Sequence, residues 1–209
     1  MKKDNNWDDI YSSKKNLKKL PWVRTTIPEW FKEIIDSKWI NPSKTLDLGC
    51  GNGYFANYLS KKGFEVTGID VSKEIIKFAK ESYKNKNLNF KQSDVFSKEL
   101  LKEKYNFLYD VGLFHNILPE KRKKYSKTLF KLLNREGEFL LFCFDKREKT
   151  FDNKKIYFNS LINMYSYPLS KKEIIETFKD NFIINKLFSL RYGTNNYKRR
   201  YVCLMTKKS

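Results

Sequence analysis

The chain has 209 residues, 40% of them apolar and 16% aromatic, which excludes disorder by composition and predicts one domain, residues 1–209, with a substantial core. It has no run of about 18 apolar residues, which excludes a membrane-spanning helix, and its polar first six residues lack the apolar segment of a secretory signal. The formal net charge of +19 comes mostly from lysines spread along the chain, and this distribution favours a solvated surface over a nucleic-acid-binding face, which would use more arginine.

Residues 1–40 predict a helical cap that packs over a ligand pocket. Aromatic and aliphatic residues recur at helical spacing through residues 7–20, and Thr26 with Glu29 three positions later has the pattern of a capping box. The helix that would begin there carries apolar residues on one face, and a turn at residues 41–43 follows it. The segment is too short, and too apolar on one side, to form a domain by itself. We therefore expect residues 41–209 to form the core that it covers.

The stretch Thr45-Leu46-Asp47-Leu48-Gly49-Cys50-Gly51-Asn52-Gly53 joins an apolar strand to a glycine-rich turn and a helix. Glycines let the backbone approach a ligand where a Cβ would collide. A dinucleotide fingerprint is excluded because Tyr54 occupies the place of its third glycine, and no Gly-Lys-Ser/Thr follows as in a phosphate-binding loop. The pattern Asp-x-Gly-x-Gly-x-Gly resembles the first motif of the class I S-adenosylmethionine-dependent methyltransferases. The resemblance implies S-adenosylmethionine (SAM) as the cofactor, held by Asp47, Gly49, Cys50, Gly51 and Gly53.

The second predicted strand, residues 64–69, ends at Asp70. A carboxylate at this point accepts hydrogen bonds from a ribose diol in α/β nucleotide sites, so Asp70 is a candidate cofactor ligand. Ser72 is placed to cap the next helix, and Val71 and Ser72 complete the predicted cofactor contacts of this turn. The alternative for Asp70 is an ordinary turn or capping aspartate.

The third predicted strand, residues 88–91, leads to Asp94, Val95 and Phe96. An acid at this strand end resembles the adenine-contacting position of the family, where a carboxylate accepts a hydrogen bond from the exocyclic amine. The resemblance implies that Val95 and Phe96 line the faces of the adenine. An ordinary turn aspartate is again the alternative.

The fourth predicted strand, residues 107–113, contains Asp110 and is followed by His115. A buried carboxylate needs a partner or a cation, and the sulfonium and ammonium of SAM would provide one for Asp110. His115 is the only histidine, and it falls at the edge of the sheet where nucleotide-binding strands end. We therefore expect it near the substrate, where a neutral imidazole would take a proton from a thiol or hydroxyl. A loop histidine with a local hydrogen bond is the alternative. Asp110 and His115 are the candidate catalytic residues.

The rest of the chain completes an α/β pattern. A helix begins near Pro119, a turn at residues 134–137 precedes a buried strand at residues 138–144, and Ser170 with Glu173 forms a capping box for a helix that runs to Phe178. Two last strands, residues 182–190 and 199–205, form a hairpin through residues 193–196. The elements predict a Rossmann-like, seven-stranded, mostly parallel sheet with helices on both faces and an antiparallel C-terminal hairpin.

Within this superfamily the chain is similar to the small-molecule branch of thiopurine S-methyltransferases, tellurite-resistance methyltransferases and related thiol methyltransferases. The similarity is carried by the glycine motif, by Pro21-Trp22 with residues 27–31, and by residues 109–116 and 142–148. It implies that Trp22 and Arg24 cover the methionine end of the cofactor and that Arg147 faces cofactor or substrate. The family's usual Pro-Gly-Gly turn before the fifth strand is replaced here by Arg135-Glu136-Gly137, which leaves Gly137 for the turn.

The resemblance implies direct in-line transfer of a methyl group to a small-molecule acceptor, a thiol or another chalcogen nucleophile. A thiolate is a competent nucleophile near neutral pH, so a strong base is not required. Two alternatives stay open: an RNA or protein methyltransferase that uses the basic surface, and a SAM-binding protein without activity. The chain lacks the Asn/Asp-Pro-Pro-Tyr/Phe motif that amino-group methylating enzymes carry after the fourth strand, which argues against the first alternative. Three cysteines without a C-x-x-C pair predict a cytoplasmic protein with no metal site, and the oligomeric state is left open.

Overall fold

The computed structural model describes residues 6–12, 17, 20, 22–23, 25–160, 163–192 and 198–209. The α-helices are α1 (Trp7–Tyr11), α2 (Glu29–Asp36), α3 (Tyr54–Lys61), α4 (Lys73–Ser82), α5 (Arg122–Leu132) and α6 (Lys171–Phe178). The strands are β1 (Lys44–Leu48), β2 (Glu65–Asp70), β3 (Leu88–Gln92), β4 (Tyr105–Val111), β5 (Leu133–Phe144), β6 (Tyr157–Asn159), β7 (Met164–Ser166), β8 (Phe182–Tyr192) and β9 (Lys198–Lys207). Within these described ranges, no helix is long and apolar enough to cross a membrane.

Seven strands form one sheet in the order β3-β2-β1-β4-β5-β9-β8. The pairs among β1 to β5 are parallel, whereas β9 runs antiparallel to both β5 and β8. This confirms the predicted mostly parallel sheet and the antiparallel hairpin, whose connection at residues 193–197 lies outside the described residues. The strand order reverses between β1 and β4, and in open α/β sheets ligands bind in the crevice at that point.

Side chains alternate between two cores on opposite faces of the sheet. In β4, Leu108 faces the core that also contains Leu129 of α5 and Phe178 of α6. Its neighbour Phe107 faces the core formed with Phe31 of α2 and other residues of α2 and α3. This alternation follows from the two-residue period of a strand, and it places helices on both faces, as predicted.

The two predicted capping boxes have different outcomes. Ser170 and Glu173 form the expected reciprocal pair at the start of α6, with the Ser170 backbone nitrogen donating to Glu173 Oε2 at 2.8 Å. The box predicted at Thr26 is wrong, because α2 begins at Glu29 with Pro28 as its N-cap and without a side-chain hydrogen bond. Pro28 fixes the backbone angle at the helix entry and has no side-chain acceptor, so α2 begins without a capping hydrogen bond.

The turn predicted at residues 134–137 is an irregular, bulged part of β5, where the pairing with β4 moves from Leu133–Tyr105 to Glu138–Phe107. These residues belong to β5, which begins at Leu133 because Leu133 pairs with Tyr105 of β4. The left-handed position is Glu136, with a φ of 59°, rather than Gly137. A side chain at Gly137 would instead lie 2.8 Å from Cδ2 of Leu133, so this glycine provides close packing inside an irregular strand.

The N-terminal segment lies against α4, beside the ends of the parallel strands. Tyr11 packs in an apolar cluster with Leu17, Leu20 and Ile75. The Ser72 hydroxyl donates a hydrogen bond of 2.6 Å to Asp8 Oδ1, which fixes α1 to the start of α4. The N-terminal residues are therefore held next to the crevice at the end of β1.

Candidate functional site

A cavity of about 520 Å³ lies at the carboxyl ends of β1, β2 and β4, which is the size range of small-molecule sites. Its walls come from the glycine turn after β1, from α1 and Trp22, and from the segment between β5 and α6. That last segment leaves the sheet at Asp145 and returns at Leu169, where the two residues form a bridge. The turns after β3 and β4 complete the walls, so parts of the chain that are distant in sequence enclose one space.

Most of the predicted site residues line this cavity. They are Trp22, Asp47, Gly49, Cys50, Gly51, Asp70, Val71, Asp94, Val95, Phe96 and His115. Arg24 lies outside the described residues. Gly53, Ser72, Asp110 and Arg147 are not among the lining residues, and each has a different structural role.

Asp47 is the most unusual of the lining residues. It ends in the cavity near the carboxyl end of β1, is only 3% exposed, and its Oδ2 has no hydrogen-bond partner within the described part of the chain. Burial raises the pKa of its carboxyl well above the usual value. The nearby Asp110 and Asp70 carboxylates raise this pKa further, while the Tyr109 side chain lowers it. An unpaired buried carboxylate is costly, and a cation in the cavity would relieve that cost.

Gly51 and Gly53 differ in what surrounds them. Gly51 has a φ of 52°, lines the cavity, and a Cβ built on it would meet nothing within 4 Å. Gly53 has a φ of 76°, and its Cβ would lie 2.5 Å from Cζ of Phe90. Gly53, which the sequence predicts to contact the cofactor, allows α3 to pack against β3, whereas Gly51 leaves open space for a ligand.

Asp70 lies at the end of β2, as predicted, and its carboxylate bridges two turns. Oδ2 accepts a hydrogen bond of 3.1 Å from the Gly51 nitrogen, and Oδ1 accepts one of 3.0 Å from the Ser72 nitrogen. Burial raises the pKa of Asp70 to about 6, although these backbone hydrogen bonds oppose the shift. Carboxylate oxygens can accept more than one hydrogen bond, so Asp70 keeps acceptor capacity toward the cavity.

The turn after β3 places Asp94, Val95 and Phe96 on another wall. Asp94 Oδ1 accepts a hydrogen bond of 2.8 Å from the Phe96 nitrogen, so this carboxylate also has the local role of a turn aspartate. Val95 is buried and Phe96 is partly buried, and both line the cavity. The arrangement offers apolar faces beside one acidic group.

Trp22 covers the cavity from the N-terminal side. Its Nε1 donates a hydrogen bond of 2.9 Å to Tyr11 Oη, and Trp7 stacks on Tyr11 with ring centroids 5.9 Å apart. Trp7 and Tyr11 also line the cavity, a position that the sequence does not indicate. Their spacing in the sequence is that of one face of a helix, but neighbouring residues do not indicate what that face packs against.

Asp110, which the sequence predicts to face a cofactor cation, is not among the residues that line the cavity. Oδ1 accepts hydrogen bonds from the nitrogens of Gly112, at 3.0 Å, and Leu113, at 2.7 Å, and Oδ2 accepts one of 2.6 Å from the Tyr125 hydroxyl. Burial raises the pKa of Asp110 to about 6, while these three donors and the Phe114 nitrogen lower it. Both oxygens of this fully buried carboxylate are used by the protein, so Asp110 stabilises the turn after β4.

Ser72 and Arg147 are likewise occupied elsewhere. The Ser72 hydroxyl caps α4 and contacts Asp8, as described above. Arg147 donates to both oxygens of Asp145, with Nη2 at 2.7 Å from Oδ2 and Nε at 3.0 Å from Oδ1. Its guanidinium lies over the Tyr201 ring, 5.5 Å from the centroid, on the outside of the cavity wall. Arg147, which the sequence predicts to face cofactor or substrate, thus pairs with Asp145 and does not line the cavity.

His115 lines the cavity and is 5% exposed. Its ring stacks on Phe144, with centroids 3.5 Å apart, and Nδ1 accepts a hydrogen bond of 3.4 Å from the Phe144 nitrogen. Burial lowers the pKa of His115 well below its usual value, and the positive charges of Arg200 and Arg122 lower it further. The imidazole is therefore neutral at physiological pH.

A buried ion pair lies beside His115 and was missed by the sequence analysis. Arg200 and Glu148 both line the cavity, at 9% and 4% exposure, and Arg200 Nη1 donates to Glu148 Oε2. The Arg200 guanidinium also lies 4.2 Å from the centre of the Phe144 ring. The sequence pattern could have indicated that Arg200 is buried, because strand alternation puts it on the same face of β9 as the buried Val202.

Aromatic and thioether side chains close this end of the cavity. Phe151 lies 4.9 Å from Phe144 and 5.2 Å from Tyr157, measured between ring centroids, and Met164 completes the wall. These residues belong to the connection between β5 and α6, in which the sequence showed no regular period. The cavity therefore has an acidic end near Asp47 and Asp70 and an aromatic end near His115.

The residues at the acidic end fit the cofactor implied by the sequence. SAM carries an ammonium, a sulfonium, a ribose diol and an adenine. The unpaired Oδ2 of Asp47 suits a cation, the open face of Gly51 leaves room for a ligand against the backbone, and Asp70 keeps acceptor capacity for a diol. Asp94, Val95 and Phe96 provide one polar and two apolar contacts of the kind that an adenine uses.

Comparisons with known proteins agree with this fit. Residues 45–137 match the methyltransferase domain family. An uncharacterized methyltransferase of Schizosaccharomyces pombe is 32% identical over 107 residues, which are 50% of this chain and 74% of that protein. Thiocyanate methyltransferase 1 of Brassica oleracea is 27% identical over 124 residues, which are 57% of this chain and 54% of that protein.

A third relative matches in both sequence and structure. The probable S-adenosyl-L-methionine-dependent methyltransferase TehB of Haemophilus influenzae is 24% identical over 185 residues, which are 84% of this chain and 61% of that protein. The crystal structure of TehB superposes with a TM-score of 0.67 at 20% identity and covers 90% of this chain and 64% of that chain. This structural likeness shows a shared fold.

Proposed function

This chain belongs to the S-adenosylmethionine-dependent methyltransferases, and we propose that it transfers the methyl group to a small acceptor, a thiol or another chalcogen nucleophile. Membership of this family means that the protein is an enzyme that uses SAM. The acceptor class is the proposal. One relative, the thiocyanate methyltransferase, is named for an acceptor that contains sulfur.

We assign the acidic end of the cavity to the cofactor. Asp47 would pair with the ammonium of SAM, Asp70 would accept from the ribose diol, and Asp94 would accept from the adenine amine. Gly49, Cys50 and Gly51 would bring bare backbone against the methionine part, and Trp22 would cover it. Val71, Val95 and Phe96 would supply the apolar contacts.

The residues at the aromatic end would position the acceptor. When bound, SAM supplies a methyl carbon that its sulfonium makes electrophilic. Phe144, Phe151 and Met164 would surround the acceptor with polarisable groups and exclude water, while His115 and Arg200 provide polar contacts. Alignment of a nucleophile with its target can account for about 7–11 kcal/mol of a barrier, so the protein needs to do little further chemistry.

The observation that carries this proposal is the enclosed aromatic wall around His115. Rings from the strand end and from the segment after it touch one another, and a cavity of about 520 Å³ favours a small acceptor over a polymer. The aromatic rings and the Met164 thioether of this wall are polarisable, which suits a soft sulfur, selenium or tellurium atom better than a strongly hydrated oxygen.

The test is a product analysis with competing acceptors. The purified protein is incubated with SAM and, separately, with small aliphatic and aromatic thiols, sulfide, selenite-derived selenols, RNA and a mixed peptide pool, and methylated products are detected by mass spectrometry. We expect methylation of small thiols or selenols. Phe151→Ala should widen the acceptor end and shift the preference toward larger thiols without changing SAM affinity.

Two outcomes contradict the proposal. Methylation of RNA or peptide without any small acceptor would favour a macromolecular substrate that uses the basic surface. SAM binding without a methylated product from any acceptor would favour a binding role. The calorimetric affinity for SAM, measured in the same preparation, separates these outcomes from a failure of cofactor binding.

A further inference from the structure

His115 presents one of its two ring nitrogens to the cavity. Nδ1 accepts the hydrogen bond from the Phe144 nitrogen, and stacking on the Phe144 ring fixes the plane of the imidazole. A ring nitrogen that accepts a hydrogen bond carries no proton, so the proton of the neutral ring is on Nε2. Nε2 makes no hydrogen bond to any residue that the structure describes, and His115 lines the cavity. Nε2–H is therefore a donor available to a bound molecule.

The groups around His115 keep the ring neutral. Arg122 of α5 and Arg200 of β9 both act on it electrostatically, and Lys121, at the start of α5, lines the same cavity. The acid nearby, Glu148, accepts hydrogen bonds from Arg200 and from the Arg199 nitrogen at 2.9 Å rather than from the imidazole. Among the described residues packed against this ring, the charged groups thus oppose an imidazolium.

We propose that His115 serves the acceptor as a hydrogen-bond donor through Nε2–H, and that the acceptor enters already deprotonated. This inference rests on the proposed function, because it concerns a thiol acceptor. The thiol loses its proton to solvent, and the thiolate sulfur accepts the hydrogen bond from Nε2–H. The sulfur lone pair then forms the bond to the methyl carbon, while the electrons of the broken carbon–sulfur bond remain with the departing thioether. No proton passes through the protein.

This assignment replaces the expectation that His115 takes a proton from the acceptor. A base needs a free lone pair directed at the acceptor, and the lone pair of Nδ1 is directed at the backbone of β5. A donor and two nearby arginines would instead stabilise an anion. The site would consequently select acceptors by the fraction present as thiolate, which depends on the pKa of the acceptor.

The first test uses the fact that the chain has one histidine. Nitrogen-15 NMR of the imidazole in the full-length, ligand-free protein reports the tautomer without ambiguity and does not depend on any acceptor. We expect the Nε2–H tautomer and no titration from about pH 5.5 to about pH 8.5, a range in which an ordinary histidine changes its charge. An Nδ1–H tautomer, or an imidazolium that appears within this range, would overturn the inference.

The second test separates a donor from a base by substitution. His115→Gln keeps an N–H near the position of Nε2 but cannot accept a proton, whereas His115→Leu removes the donor as well. We expect His115→Gln to retain kcat/KM within about threefold and His115→Leu to lose about tenfold to a hundredfold, as for loss of a hydrogen bond to a charged group. Equal losses in the two variants would indicate that His115 acts as a base.

The third test is the pH profile of kcat/KM for thiols of different acidity. We expect the inflection to move with the pKa of each thiol, because the thiolate is the form that binds. An inflection that stays at one pH for all thiols would identify a titrating protein group and would contradict the inference. Absence of thiol methylation despite intact SAM binding counts against the proposed function, whereas the Nδ1–H tautomer counts against this inference alone.

Discussion

The Tyr125 hydroxyl donates a hydrogen bond of 2.6 Å to Oδ2 of Asp110, and this bond joins α5 to the end of β4 inside the core. The other oxygen of Asp110 holds the turn at Gly112 and Leu113. The Leu113 side chain in turn packs so closely on Gly49 that a Cβ there would lie 3.0 Å from the Leu113 Cβ. A buried tyrosine therefore supports the floor of the cofactor end, although it does not touch the cavity.

We expect Tyr125→Phe to lower the free energy of unfolding by about 1–3 kcal/mol, because it leaves a buried carboxylate oxygen without a donor. The effect should grow as the pH rises above about 6, since the Tyr125 hydroxyl lowers the pKa of Asp110 and its loss penalises the ionised form. Urea unfolding at about pH 5 and about pH 8 measures the difference. Tyr58→Phe, at a half-buried tyrosine on α3, is the control and should change stability by less than about 0.5 kcal/mol.

The pair Gly51→Ala and Gly53→Ala should separate ligand binding from folding. Gly51→Ala has open space around it, so we expect a stability loss of about 1–2 kcal/mol from the left-handed backbone alone. Its new methyl group would occupy the ligand face and weaken SAM binding at least about tenfold, a loss of about 1.4 kcal/mol. Gly53→Ala adds a clash with the Phe90 ring and should destabilise more, by about 3 kcal/mol or above. Equal effects of the two variants on stability would contradict this division of roles.

Asp47→Asn should stabilise the ligand-free protein while weakening cofactor binding. Replacement of a buried carboxylate whose Oδ2 is unpaired removes a desolvation cost, and we expect a gain of about 1–3 kcal/mol at about pH 8. Loss of the proposed pairing with the SAM ammonium should weaken binding about tenfold to a hundredfold. Thermal unfolding with and without SAM measures both effects, because a ligand stabilises the folded state by mass action. A variant that is less stable and binds SAM normally would show that Asp47 is structural.

Cofactor affinity should depend on pH through Asp70. The folded pKa of about 6 lies above the usual value, so the contribution of Asp70 to stability decreases as the pH rises from about 4 to about 6. An ionised carboxylate is the better acceptor for a diol, so the affinity for SAM should rise over the same range and level off above about pH 7. Calorimetry of the wild type and of Asp70→Asn tests this. The dependence centred near pH 6 should be absent from the variant, and a flat wild-type profile would exclude Asp70 as a ribose ligand.

Arg147→Ala should leave acceptor kinetics almost unchanged. Its side chain is 49% exposed and pairs with the buried Asp145 outside the cavity, and in the variant Asp145 keeps the hydrogen bonds from the Ser189 hydroxyl and the residue-147 nitrogen. We expect kcat/KM within about twofold of the wild type. Phe151→Ala, at a residue that lines the acceptor end, is the matched comparison and should change KM for the acceptor. A large effect of Arg147→Ala on KM would show that this arginine reaches the substrate.

The sheet could be predicted because its signals are local. Runs of apolar residues, the glycine turn and the capping box at Ser170 and Glu173 each depend on neighbours within a few residues, and parallel strands end at one edge, which placed Asp70 and Asp94. The start of β5 could not be predicted in this way. Residues 134–137 have the composition of a turn, but pairing of Leu133 with Tyr105, distant in sequence, makes them a bulge inside β5.

The site residues also differ in whether a local sequence signal or a contact between distant residues determines their position. Asp47 and Gly51 follow from a motif whose geometry is set within a single βα turn. Asp110 and Arg147 are charged residues near strand ends, a position that predicts contact with a ligand. In the structure each pairs with another residue of the protein, Asp110 with Tyr125 and Arg147 with Asp145. Phe151, Tyr157 and Met164 come from an aperiodic connection that folds back over the sheet, and only the tertiary structure shows which part of it reaches the cavity.

The three aspartates at one end of the cavity, Asp47, Asp70 and Asp94, lie within a molecule whose net charge is +19. The acidic side chains at this interior end thus lie inside a surface on which positive side chains predominate. A positively charged cofactor is repelled at a distance and attracted only after it has entered. Dissolved ions shield charges across solvent over about 10 Å at 0.1 M, and they shield buried groups much less. Added salt should thus speed the entry of SAM, in contrast to the slowing that salt causes for ligands steered by opposite charge.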